Sequence, residues 1–251
     1  MNDRALVSLL DDIAARAWPA RENVKLGGWI LRATDGITRR ANSVYPKDGP
    51  SIEIDGAIDQ VIQFYKSKHL IPRFQVTEAS QPPDLDLLLE QRGFEMGLQV
   101  AIMVADVNNL LHQENSLKTR IFPTPTDEWL STYQASEGYD SASIKVRKEI
   151  MMRTPTPKAF VLCEVENIPA GVALAVSDGD WVGIFGLVTH KDYRRRGVAT
   201  TINRAIGEWA KSEGAKYAYL QAEVLNDPAL ALYSKIGFKT EYEYWYRDYN
   251  K

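Results

Sequence analysis

Leu187-Val188-Thr189-His190-Lys191-Asp192-Tyr193-Arg194-Arg195-Arg196-Gly197-Val198-Ala199 is the stretch that decides the fold. An apolar, strand-like run passes into a basic turn, and the turn opens an amphipathic helix predicted over Val198–Ser212. The first amides of a helix have no intrahelical acceptor and sit at the positive end of its dipole, so a strand–turn–helix junction of this kind binds anions. Gly197, with no Cβ, lets the chain approach a phosphate closely, and Ala199 and Thr200 stay small one step on. Three arginines at a helix start oppose the dipole by about 0.3–1 kcal/mol each unless an anion lies between them, and a diphosphate reverses that sign. The alternatives are a solvated basic loop or a nucleic-acid patch, and no second basic cluster supports the latter.

A second stretch follows: Asn226-Asp227-Pro228-Ala229-Leu230-Ala231-Leu232-Tyr233-Ser234-Lys235-Ile236-Gly237-Phe238. Arg194-Arg195-Arg196-Gly197-Val198-Ala199 resembles the (Arg or Gln)-x-x-Gly-x-(Gly or Ala) hallmark of the GNAT superfamily of acetyl-CoA-dependent N-acetyltransferases. The second stretch resembles that family's Asn-x-x-Ala-x-x-Leu-Tyr-x-x-x-Gly-Phe signature, and the resemblance covers roughly Lys118–Lys251. It implies that Leu187, Val188 and Thr189 hold the acetyl and pantetheine arm of acetyl-CoA through their backbone. Arg194, Arg195, Arg196, Gly197, Val198 and Ala199 would wrap the pyrophosphate where two parallel strands splay. Asn226 would bond the cofactor arm, and the Tyr233 hydroxyl would sit near the thioester sulfur.

Acyl transfer to an amine needs an unprotonated nitrogen, a stabiliser for the developing oxyanion and a proton for the leaving thiolate. The amide of Val188 or Thr189 is the expected oxyanion donor and Tyr233 the expected acid. Many family members carry a glutamate five residues before Asn226, but here that position is Gln221. Glu223, two residues along the same predicted strand and so on the same face, is the candidate base. Glu164 and Glu166 are weaker candidates, for base or for cation binding. The same features leave open a non-catalytic acyl-CoA-binding regulatory module, which Tyr233 and Asn226 argue against and Gln221 allows. The acceptor is expected to be a primary amine of a small molecule or peptide.

Upstream, helices are predicted at Met1–Trp18, Ile58–His69 and Leu85–Arg92, and strands at Gly28–Ala33, Ile37–Tyr45, Arg73–Glu78 and Leu98–Val104. Asp106–Ser116, polar and rich in Asn, reads as a linker. After it come helices at Thr126–Glu137 and Ser143–Met152 and strands at Ala159–Glu166, Ala170–Ser177 and Trp181–Thr189. A strand at Tyr217–Val224, a helix at Pro228–Ile236 and an aromatic strand at Glu241–Tyr249 complete the chain. This is a mixed α/β (α+β) sheet fold. Gly93-Phe94 matches Gly237-Phe238 at an offset of 144, and Val44, Lys47, Asp48, Ile58 and Ile62 meet identical residues at the same offset. A tandem GNAT fold follows, with domains expected at 1–110 and 117–251. In the first copy Pro50, Glu53 and Asp55 stand at the places of Arg194, Gly197 and Ala199, and Pro82 and Leu89 at those of Asn226 and Tyr233, so its cofactor site reads as erased. That copy would support the second or wall its acceptor cleft.

The 251 residues are 45% hydrophobic with a net charge of −3, which favours neither a general nucleic-acid binder nor a disordered chain. The start of the chain lacks the features of a signal peptide and no run of about 20 apolar residues spans a bilayer, so a cytoplasmic protein is expected. The single Cys163, in a strand-like run, reads as a small buried hydrophobe. Scattered His69, His112 and His190 give no metal-ligand spacing, and no metal is expected. The aromatic run Tyr242–Tyr249 would suit a strand between the domains, an acceptor wall or a dimer contact, and leaves a homodimer open.

Overall fold

The structure, a computed structural model, describes residues 3–112, 117–155 and 157–251. In chain order the elements are α1 (Asp3–Ala17), β1 (Glu22–Leu26), β2 (Trp29–Ala33), β3 (Val44–Pro46), α2 (Ile54–Lys66), β4 (Arg73–Val76), α3 (Leu85–Gln91), β5 (Glu95–Asp106) and α4 (Val107–Leu111). Then come β6 (Lys118–Phe122), α5 (Asp127–Glu137), α6 (Ser141–Arg153), β7 (Lys158–Val165), β8 (Ile168–Asp178), β9 (Trp181–Thr189), α7 (Val198–Ser212), β10 (Tyr217–Glu223), α8 (Asp227–Ile236) and β11 (Lys239–Asp248). The chain divides into two compact units: one runs to Ala101 and includes Tyr242–Lys251, the other is Ile102–Glu241. The units therefore part at Ala101/Ile102 rather than near residue 110, and the chain's last strand packs mostly with the first unit.

In the first unit β1–β2 and β2–β3 are antiparallel, β3 meets β4 in parallel at Val44↔Phe74, and β4 pairs antiparallel with β11 from Trp245↔Val76 to Asp248↔Arg73. Burying aromatic and β-branched side chains from strands and helices together drives its core: Trp29, Val44, Ile58, Val61, Tyr65, Phe74 and Phe94, with the Trp29–Phe74 and Phe74–Phe94 rings edge to face at 5.0 and 5.6 Å. Two bidentate arginine–carboxylate pairs hold the C-terminal strand, Arg73 on Asp248 (2.6 and 2.8 Å) and Arg247 on Asp86 (2.8 and 2.7 Å). The expected strand at Ile37–Tyr45 is confined to β3. Asn42 prevents the rest, because its side chain accepts from Thr34 and Gly36 N–H and donates to the Thr34, Ile37 and Thr38 carbonyls, giving the backbone a loop's hydrogen bonds instead of a ladder's.

The second unit orders its strands β10-β9-β8-β7-β6, antiparallel except for the parallel β9–β10 pair. β7 and β8 are almost wholly buried, and β9 is buried from Val182 to Phe185, as continuous apolar runs in a covered sheet require. The expected linker begins with a short helix, α4, capped by the Asp106 side chain on Asn108 N–H; its end at 113–116 lies outside the described residues. β6, which sequence reasoning left unassigned, pairs with β7 from Lys118↔Glu164 to Phe122↔Phe160. Among the described residues no helix is long and apolar enough to cross a membrane.

Candidate active site

The site begins where β9 loses one neighbour. β9 and β10 pair from Trp181↔Tyr217 to Ile184↔Leu220, and beyond that the parallel ladder ends. β9 continues alone on that edge while its other edge keeps β8 as far as Thr189↔Gly171. The register of β8 and β9 shifts between Val172↔Val188 and Leu174↔Phe185, so Gly186 and Leu187 stand opposite Ala173 alone. Such a bulge re-aims a strand and strengthens its twist. Gly186 adopts φ +54°, which glycine takes without a Cβ penalty, and the Tyr133 ring of α5 lies 3.2 Å from where a Cβ would stand. Sequence reading missed this bulge, although an isolated glycine inside a strand pattern was its signal.

Peptide groups alternate between the two edges of a strand. His190 N–H donates to Ala170 O at 2.8 Å, so His190 and Val188 turn their peptide groups toward β8, and Thr189 turns its own toward the edge that β10 has left. Of the two expected oxyanion donors, Val188 is engaged with β8 and Thr189 faces the gap. His190 caps a 3-10 turn, Lys191–Tyr193, through Nδ1 on Asp192 N–H, which is a local structural role.

The turn then lifts Arg195 and Gly197 into left-handed backbone, at φ +61° and +80°. Gly197 is the N-cap of α7 and supplies no side-chain cap, and the first turn carries no acidic residue. Such alternation gathers successive N–H groups into a concavity suited to an anion. Arg194 and Arg195 are exposed, and Val198 and Ala199 follow Gly197 as the first helical residues of α7. Arg196 is drawn aside: its guanidinium bonds Glu166 Oε1 at 2.7 Å and lies 5.7 Å over the Tyr193 ring. Glu166 is thereby accounted for as an ion-pair partner.

β10 and α8 bring the remaining expected residues to the same end of the unit. Asn226 caps α8 by accepting from Ala229 N–H at 3.3 Å, which leaves its amide nitrogen uncommitted among the described residues. Tyr233 is half-buried, its ring edge on to Phe238 at 5.9 Å. Burial pushes its hydroxyl up to about 12, so it is protonated at neutral pH. Glu223, at the end of β10, is exposed, and its carbonyl accepts from Asn226 N–H. The expectation that burial would tune Glu223 does not fit this exposure. Glu164 is buried on β7, where Lys118 (2.9 Å) and then Arg120 (2.7 Å) hold its carboxyl below the ordinary carboxylate range. A carboxylate so paired is a poor proton acceptor. Cys163 is buried, and burial pushes its thiol up to about 11. Among the described residues no group of three or more His, Cys, Asp or Glu could hold a metal ion.

The first unit has the corresponding strand–turn–helix but fills it with its own chain. Its parallel ladder is a single pair, and beyond it the Pro46 carbonyl accepts from Gln81 N–H at 3.0 Å. Trp29 Nε1 donates to Gln81 O at 2.8 Å and fixes that segment. The turn before α2 is covered by the β1–β2 hairpin, with Gly28 N–H on Gly49 O and Asp48 N–H on Gly28 O. α2 starts acidic, with Asp55 in its first turn, and Arg92 neutralises Asp55 and Asp59.

Comparison with known proteins agrees with this geometry. The family model described as "Probable histone acetyltransferase Rv0428c C-terminal" matches residues 5–247. N-acetyltransferase YobR of Bacillus subtilis is 32% identical over 95% of this chain and 96% of its own length. A GCN5-related N-acetyltransferase from Kribbella flavida superposes with a TM-score of 0.73 over 97% of this chain and 95% of its own, at 16% identity. A tandem GNAT protein from the clavulanic acid biosynthesis pathway gives 0.57 over 95% and 87%, at 12% identity, a likeness of fold alone. The chain belongs to the Rv0428c-type family of GNAT N-acetyltransferases, an acyltransferase family, and carries the tandem form of that fold.

Proposed function

We propose that the chain transfers the acetyl group of acetyl-CoA to a primary amine of a small molecule or peptide, by direct attack of the amine in a ternary complex. The observation that carries this reading is the end of the β9–β10 ladder at Ile184↔Leu220, directly before the uncapped, arginine-flanked start of α7. Acetyl-CoA would supply an acetyl group activated as a thioester; the chain's own residues bind, orient and stabilise. The exposed edge of β9 at Leu187 and Thr189 would pair with the pantetheine amides. Arg194, Arg195 and the start of α7 at Gly197, Val198 and Ala199 would take the diphosphate, with Arg196 contributing long-range charge while paired to Glu166. Asn226 Nδ2 would donate to the pantetheine arm.

For the chemistry, the alternation of peptide groups favours Thr189 N–H over Val188 N–H as donor to the developing acetyl oxyanion. Burial keeps the Tyr233 hydroxyl protonated, and it would serve as the acid toward the departing sulfur. Glu223, solvent-exposed at the end of β10, would take the ammonium proton through water. Binding of acetyl-CoA by calorimetry, followed by CoA release with a panel of primary amines, tests the reading. Binding without turnover on any amine would support a regulatory module, and no binding would remove the site.

A further inference from the structure

α7 buries two polar side chains, on different sides of the helix, where a packed helix ordinarily buries apolar ones. Thr201 and Asn203 are 5% and 0% exposed. Each turns back along the helix: Thr201 Oγ1 donates to Gly197 O at 2.8 Å, and Asn203 Nδ2 to Ala199 O at 2.8 Å. The Gly197 carbonyl already accepts from Thr201 N–H at 2.9 Å, and helical geometry gives the Ala199 carbonyl the Asn203 N–H. Both carbonyls are therefore doubly loaded.

A peptide is one conjugated unit, so a second donor on its oxygen makes its N–H a stronger donor. The N–H that shares a peptide with Gly197 O belongs to Val198, and the one that shares with Ala199 O belongs to Thr200. Both lie in the first turn of α7, where amides have no intrahelical acceptor. The single hydroxyl hydrogen of Thr201 goes to the Gly197 carbonyl. The result is a chain of polarisation from Thr201 O–H through the Gly197 carbonyl to the Val198 N–H. Asn203 adds a second sign. Its Oδ1 is buried without a partner among the described residues, a cost that a leucine of the same shape would not carry.

We infer that Thr201 and Asn203 are positioning residues that sharpen the Val198 and Thr200 amides for the diphosphate of the acyl donor, so that the chain selects donors bearing a diphosphate over those offering the pantetheine arm alone. This rests on the proposed acetyl-CoA site. The test is calorimetry on the full chain with CoA and with pantetheine, which lacks the diphosphate, for Thr201→Val and Asn203→Leu. Each variant weakens CoA binding about three- to tenfold and leaves pantetheine binding unchanged. Thr201→Ser restores the CoA affinity, and Asn203→Leu melts no lower than the unsubstituted chain. Equal loss for both ligands, or unaltered CoA affinity in folded variants, overturns the inference while the acetyl-CoA site stands. Failure of the unsubstituted chain to bind CoA removes both. Should Asn203→Leu not fold, the contrast of Thr201→Val with Thr201→Ser decides alone.

Discussion

Aspartate at position 197 sets charge against the proposed diphosphate at the cap of α7. Gly197 stands at φ +80°, exposed, at a helix start that has no side-chain cap. An anion bound at that start lies within about 4–5 Å of a carboxylate on residue 197. At 4 Å two like charges repel by about 1 kcal/mol in water and about 4 kcal/mol at an effective dielectric near 20. For so open a turn about 2 kcal/mol is the working figure, or roughly a thirtyfold weaker CoA complex, and a diphosphate with more than one charge raises it. Backbone strain enters too, because a side chain in left-handed backbone costs the fold about 1–2 kcal/mol, less for Asn and Asp. Gly197→Asn separates the two effects, having the same size and the same tolerance of that backbone without the charge. Calorimetry with CoA at low salt should give Gly197→Asp a dissociation constant about thirtyfold above that of Gly197→Asn. Near 1 M salt, where the screening length is about 3 Å, the gap should shrink. Equal affinities at low salt would refute a diphosphate at this cap.

Tyr233→Phe should lower kcat about 10- to 100-fold while the CoA dissociation constant stays within about twofold, and a hydroxyl held near 12 should give no falling limb in activity below pH 10. Glu223→Gln should cost more turnover at pH 7 than at pH 9, where the amine increasingly loses its own proton; a loss independent of pH would remove Glu223 as base. In the first unit Asp11 is buried, bonded to Tyr242 Oη at 2.8 Å and Thr77 Oγ1 at 3.1 Å, and burial raises its carboxyl from 3.8 to about 7. The fold keeps that proton after the unfolded chain has lost it, so this group favours the fold below about pH 4 and costs progressively more up to about pH 7, by at most about 4 kcal/mol. Asp11→Asn should therefore raise the unfolding midpoint at pH 8 and flatten its dependence between pH 5 and 8; an unchanged slope would contradict this.

The family resemblance was legible in consecutive residues. The strand–arginine turn–helix at Leu187–Ala199 and the Asn226–Phe238 stretch are local in the chain, and their dihedral needs, small residues and charges are written in consecutive positions. The repeat at an offset of 144 was legible for the same reason. Only the tertiary structure decided what depends on partners distant in sequence. Whether Val188 or Thr189 faces the open edge follows from β8 register and the Gly186 bulge. Lys118 and Arg120 silence Glu164, and Glu166 draws Arg196 aside. Gln81 seals the first unit's gap, where the acidic turn alone had suggested only that phosphate was repelled. In each case a side chain's chemistry is set by the neighbour that satisfies or buries it, and folding rather than composition chooses that neighbour.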